Sequence, residues 1–172
     1  MKDKSNRFEM LVRSHTHELY SYAYGLCRDR HTAEDLVQET LLRAWKNLHA
    51  LRDPRALKGW LYTILRREHA RHYRANSRPH EELDEIRLPP AADFKDQTET
   101  YALRQAMHQL PESYREPLLL QVIGGFSCRE IADILDLTPA NVMARVSRAR
   151  RKLRGFLQAD ESAGMPAREQ KA

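Results

Sequence analysis

Only two cysteines, Cys27 and Cys128, occur in the 172 residues, and neither has a CxxC partner. A disulfide framework and a four-cysteine zinc site are therefore excluded. Glycine is scarce at six and proline modest at eight, with most prolines at segment edges. That distribution disfavours a turn-rich all-β fold and favours helices. No stretch approaches the roughly 18 apolar residues of a membrane span, and MKDKSNRFEM lacks the apolar core of a secretion signal. The expectation is a cytoplasmic chain without membrane insertion. Gly-rich phosphate loops, HExxH, GxSxG and EF-hand patterns are all missing. No catalytic residue, cofactor or metal is expected. His15 and His17 stand two apart and face different sides of a helix, and His69 and His72 lack a third ligand.

Charge is plentiful, at 31% of residues with a net +5, which permits a polyanionic partner. Its distribution says more. From Trp60 to Pro79, Arg66, Arg67, Arg71, Arg74 and Arg78 stand against Glu68 alone. From Glu81 to Glu99, seven acids oppose only Arg87 and Lys95, around Pro89-Pro90. From Pro139 to Ala159 there are six cations and no acid. Low hydrophobicity, a proline pair and like charge predict an extended acidic linker over 80–98. The fold expected is all-α, with two small helical domains, at 1–79 and 99–158, joined by that linker, and a disordered tail over 159–172.

Apolar spacing predicts a helix from Phe8 to Cys27. Thr32 and Asp35 in TAED resemble a capping box that opens a second helix to about Leu48. Asp53-Pro54 opens a third, to about Ala75. Beyond the linker, Thr98 to Gln109 reads as a helix, and Pro111 starts another that Gly124-Gly125 ends. Ser127 and Glu130 form a capping box for a short helix to Asp136, and Thr138-Pro139 starts a long one to about Leu157.

The last two helices, with the turn Asp136–Thr138, read as a helix-turn-helix. Val142, Val146, Ala149 and Leu153 fall on one buried stripe. Asn141, Arg145, Arg148 and Lys152 fall on an adjoining outward stripe, with Arg151 beside them. Small residues at the helix start (Ala140, Asn141, Ala144) and arginines beyond suit entry into a major groove. Asn and Arg are also the side chains suited to bidentate reading of adenine and guanine.

Two other faces stand out. On the second helix, Leu42 lies among Asp35, Gln38, Glu39 and Lys46, opposite the stripe Val37, Leu41, Ala44 and Leu48, which Leu36 and Trp45 flank. An acidic face around one apolar residue suits docking onto a basic partner helix. On the third helix, Tyr62, Arg66, His69 and Tyr73 share a side, next to Arg67 and Arg74. Rings alternating with guanidinium groups suit unstacked bases beside a phosphate-binding surface. A solvated polar or basic face accounts for either pattern taken alone.

TAEDLVQETLLRAW at 32–45, KGWLYTILRR at 58–67, the acidic stretch, and QLPESYREPLLLQVIGGFSCREIADIL at 109–135 together resemble a bacterial sigma factor. The resemblance is to the sigma-70 family, extracytoplasmic-function (ECF) group, which keeps only the second and fourth sigma domains, and it covers about 8–157. It implies that domain two binds the clamp helices of the RNA polymerase β′ subunit through Asp35, Gln38, Glu39 and Leu42. It implies that Trp60, Tyr62, Arg66, Arg67, His69, Tyr73 and Arg74 serve −10 recognition and melting, and that Asn47–Lys58 is the loop that captures a flipped base. Domain four is implied to read the −35 element through Asn141, Arg145, Arg148, Arg151 and Lys152 and to contact the β flap. An anti-sigma factor is an implied partner. The chain departs from its relatives at Arg67-Glu68, where Asn-Leu is usual, and at Arg71, where Asp is frequent. Asp136 replaces the usual turn glycine, and Met143 a phosphate-seeking lysine. A stand-alone helix-turn-helix regulator and a sigma mimic that sequesters an anti-sigma factor are the alternative readings.

Overall fold

The computed structural model describes residues 2–75 and 94–163, and all regular structure in them is helical. The helices are α1 (Lys2–Cys27), α2 (Arg30–Lys46), α3 (Leu57–Ala75), α4 (Phe94–Gln109), α5 (Glu112–Val122), α6 (Cys128–Leu135) and α7 (Pro139–Ala163). Two 3₁₀ turns, Leu48–Ala50 and Pro54–Ala56, bridge α2 and α3. Of the expected linker, 80–93 lies outside the described residues, and 94–98 already belongs to α4. The expected tail likewise begins inside α7, which runs on to Ala163; 164–172 lies outside the described residues.

Local chemistry sets the ends of the elements. Arg28 adopts a left-handed conformation (φ 62°) and stops α1. The cap of α2 is Asp29, whose carboxylate accepts from Thr32 N at 2.7 Å, so the TAED start lies one turn too late. A carboxylate one residue before the helix reaches its free N–H groups and suits the positive end of the helix dipole. Asp53 caps the turn before α3 as expected, accepting from Arg55 N at 2.9 Å. At α6 the capping box is complete: Glu130 N donates to Ser127 Oγ, and Ser127 N donates to Glu130 Oε2 at 2.8 Å.

Helices α1, α2 and α3 pack against one another, and α7 gathers α4, α5 and α6. These two units also pack together, α5 on α1 and α6 on α3. One continuous apolar cluster results, running from Leu19, Tyr22 and Leu61 through Leu119 and Phe126 to Val142 and Val146. Each fully buried leucine, valine or phenylalanine contributes about 1.5–3 kcal/mol. The joint between the units is tight at Gly25 on α1, where an added Cβ would lie 2.8 Å from Leu119 Cδ1 on α5.

Candidate nucleic-acid interface

The helix-turn-helix is formed by α6, the turn Asp136–Thr138 and α7. Asp136 takes the left-handed conformation (φ 56°, ψ 51°) that lets the chain reverse, which is the conformation glycine adopts most readily. Thr138 Oγ1 accepts from Asn141 N at 3.2 Å and caps α7. Val142, Val146 and Ala149 are buried, and Leu153 is partly buried against the same cluster. Asn141, Arg148, Arg151 and Lys152 are exposed, and Arg145 is half-buried. Arg145 Nε donates to Asn141 Oδ1 at 2.7 Å, so these two side chains form one outward unit. Arg150 leaves the basic face to donate to Gln121 Oε1 on α5 at 2.8 Å.

On α2 the expected outward residues separate into two groups. Asp35, Gln38 and Leu42 are exposed, Leu42 by 46%. Glu39 is half-buried, because Arg43 holds it at 2.9 Å and Arg71 approaches at 3.7 Å. Trp45 is not a core flank: it is 49% exposed, one turn from Leu42. Its position extends the apolar spot that periodicity assigned to Leu42 alone.

The aromatic-basic helix departs furthest from expectation. Arg67, Tyr73 and Arg74 are exposed and Trp60 is half-buried. Tyr62 and His69 do not stand on an open face; both are buried, Tyr62 completely. The Tyr62 ring lies between Tyr22 of α1, with centroids 5.0 Å apart, and Phe126, which meets it edge-on at 4.9 Å. Burial pushes the Tyr62 phenol well above its ordinary range. His69 Nδ1 lies 4.0 Å from Glu112 of α5, and burial pushes its pKa down. Arg66 is engaged as well, its Nε donating to Glu116 Oε1 of α5 at 2.9 Å. Tyr62, Arg66 and His69 share one side of α3, and what covers that side is α5 and Phe126, just before α6; Tyr73, expected on the same stripe, is exposed.

Residues outside the expected set complete this joint. Glu116 also accepts from Tyr22 OH at 3.3 Å, and its burial raises its pKa against the opposing effect of Arg66. Buried Arg115 donates to Leu26 O of α1 and to Leu110 O, each at 3.4 Å. Lys58 sits 5.7 Å from the Phe126 ring centroid and 2.8 Å from Glu18. Nothing in PESYREPLLL marks Arg115 or Glu116 as joint residues, since their partners across the joint lie 50 to 94 positions away. Among the described residues, no group of three or more His, Cys, Asp or Glu side chains could hold a metal ion. No described helix is long and apolar enough to cross a membrane.

A helix-turn-helix whose reading helix carries no acid from Pro139 to Ala159, packed on a three-helix unit, defines a two-domain, all-helical transcription factor. Residues 11–79 match the family model for sigma-70 region 2, and residues 100–153 match that for sigma-70 region 4. The chain is 36% identical over 145 residues to the ECF RNA polymerase sigma factor EcfG of Rhodopseudomonas palustris, covering 83% of this chain and 80% of that one. It is 31% identical over 158 residues to the ECF RNA polymerase sigma factor SigE of Mycolicibacterium smegmatis, covering 87% of this chain and 61% of that one. Among solved structures it resembles the sigma factor RpoE of Bartonella quintana, crystallised with the anti-sigma factor NepR. That match has a TM-score of 0.69 and 28% identity, over 93% of this chain and 99% of that one. CnrH, in complex with the cytosolic domain of CnrY, matches with a TM-score of 0.68 and 26% identity, over 91% and 90%. The chain belongs to the sigma-70 family, ECF group: it is a sigma factor, a component of transcription initiation.

Proposed function

We propose that α2 docks on RNA polymerase core, that α3 takes the opened −10 element, and that α7 reads the −35 duplex. The units are domain two over 1–79 and domain four over 99–158. The observation that carries this reading is the α2 face, where Leu42 stands exposed beside Asp35 and Gln38. An apolar anchor in a polar, acidic rim is the pattern of a protein docking site. The β′ clamp helices are its occupant, with Glu39 at the edge of the contact.

On DNA, Asn141 and Arg145 address base edges, while Arg148, Arg151 and Lys152 grip phosphates. Trp60, Tyr62, Arg66, Arg67, His69, Tyr73 and Arg74 form the surface for melted strand, and Asn47–Lys58 takes a flipped base. The chain supplies no catalytic residue: polymerase does the chemistry, in the cytoplasm, and domain four meets the β flap. The anti-sigma factors in the complexes of RpoE and CnrH support a partner of that class for this chain.

The test is co-elution of the purified chain with bacterial core polymerase at moderate salt, with Leu42→Asp as the control. Co-elution that the substitution abolishes, with helicity retained, is expected. No co-elution from the folded wild-type chain would leave a stand-alone helix-turn-helix regulator as the reading.

A further inference from the structure

Three guanidinium groups gather where the end of α1 meets the end of α4 and the first turns of α5. Arg28, in its left-handed position just past α1, donates through Nη2 to His108 O near the end of α4. Arg115 of α5 donates to the same oxygen through Nη1 at 3.4 Å, and to Leu110 O and Leu26 O at 3.4 Å each. Arg104 stands one turn before His108, and with Arg28 and Arg115 it presses the imidazole toward its neutral form. Arg28 and Arg104 are exposed at the rim, whereas Arg115 is only 6% exposed beneath them.

The positive charge there is not matched among the described residues. The C-terminal ends of α1 and α4 supply about half a negative charge each, and Glu112 acts on Arg115 with one more. Three full positive charges stand against them. The other acids nearby are committed elsewhere: Asp29 caps α2 through Thr32 N, and Glu116 holds Arg66. The bonds of Arg115 are long for an N–H donor, and all go to neutral carbonyl oxygens. Two buried nitrogens, Arg115 Nε and His108 Nδ1, have no hydrogen-bond partner. A buried N–H without an acceptor is costly, and more so on a charged group.

We propose that this junction binds a small oxyanion of the phosphate class, held by Arg28 and Arg104 at the rim and by Arg115 Nε and His108 Nδ1 beneath. Such an anion supplies the missing negative charge and the missing acceptors together, in charge-assisted hydrogen bonds. Four donor groups on three segments call for oxygens pointing in several directions, which a tetrahedral phosphate has and a planar carboxylate lacks. The ligand is free phosphate or the phosphate of a small ester, since both present the same oxygens. Bound there, it offsets the arginines around His108, so the imidazole takes up a proton as the anion binds. The site uses none of the residues assigned to DNA or polymerase.

Inorganic phosphate is titrated into the full-length chain in place of chloride at constant ionic strength, so that general screening is held fixed. The readouts are the NMR titration of the His108 ring and the melting temperature. Arg28→Gly removes one rim charge at a position whose left-handed conformation glycine adopts freely, and Arg104→Gln removes the other. Arg129→Gln, exposed on α6, removes an equal charge far from the junction in sequence. In wild type and Arg129→Gln, phosphate is expected to move the His108 pKa from about 4 toward 6.5 and to raise the melting temperature by mass action. Arg28→Gly and Arg104→Gln are each expected to weaken phosphate binding about tenfold, the loss of one charge-assisted hydrogen bond. The series is repeated with glycerol phosphate: tighter binding than phosphate supports an ester as the ligand, and equal binding supports the free ion. A His108 pKa that phosphate leaves unmoved in wild type would overturn the site. So would a rise in melting temperature equal in all four chains, which marks a general effect of the salt.

Discussion

Arg43 of α2 and Glu68 of α3 meet at 2.8 Å, with the Glu68 side chain almost wholly buried. Arg71, one turn on, pairs with the same carboxylate, and Glu39 closes the group from α2. A buried acid is tolerated here because two arginines enclose it, and together they tie α2 to α3.

Glu68→Ala is expected to lower stability by about 1–2 kcal/mol, because it removes the shared acceptor and leaves a small void. Glu68→Leu fills the space, and both arginines can turn to water, so its loss is expected to stay below about 1 kcal/mol. Urea unfolding of the two variants beside wild type checks the order. Equal losses would mean that the ionic contact, and not the filled volume, decides.

The Arg145–Asn141 bond separates base reading from phosphate grip. Arg145→Ala is expected to weaken binding to a −35 duplex by about 1–3 kcal/mol and to lose discrimination at one position. Asn141→Ala is expected to blur the same position, since it frees the guanidinium that it holds. Arg148→Ala should weaken all duplexes alike and reduce the salt dependence by about one phosphate contact. Binding of polymerase holoenzyme to promoter variants across a salt series distinguishes them.

Asp136 stands in a left-handed conformation, the one glycine adopts at least cost. Asp136→Gly is expected to raise stability by about 0.5–1 kcal/mol, the relief of the side chain's strain exceeding the added freedom of the unfolded chain. Asp136→Ala should lower it by a similar amount, because alanine has no polar group to ease that conformation. Thermal melts of both variants read the sign directly.

His108 on α4 is half-buried against Tyr24. Burial first, then the charges of Arg28, Arg115 and Arg104, push its pKa from 6.5 down to about 4. The unfolded chain therefore binds a proton that the folded chain refuses, and the stability present above pH 6.5 is lost as pH falls from 6.5 through about 4. Glu116, whose pKa burial raises, acts in the opposite sense over acid pH, so the comparison is made between variants. His108→Gln is expected to flatten the fall in melting temperature over that window. A slope identical to wild type would remove His108 as its source.

Much of domain four was legible because its information is local. The Ser127–Glu130 box, the Thr138 cap and the stripe Val142, Val146 and Ala149 all lie within a few residues of what they organise. The start of α2 was misplaced by a turn because Asp29 and Thr32 are both good caps, and only the reach of the Asp29 carboxylate to Thr32 N decides between them. Trp45 was assigned inward because periodicity marks a stripe's edge poorly. Tyr62 and His69 were assigned to the correct side of α3 and the wrong environment. A helix's own spacing reports which residues share a face; it cannot report that Phe126 and Glu112, far along the chain, will cover that face. Glu116 had no local signal, since an acid in an apolar helix resembles any solvated one until Arg66 and Tyr22 are beside it.

The apolar cluster shared between the two units also sets how their joint responds to temperature. Burial of Leu119 and Phe126 across it is entropic in origin near room temperature and weakens on cooling. The contact between the units is therefore expected to contribute most at intermediate temperature and less on either side.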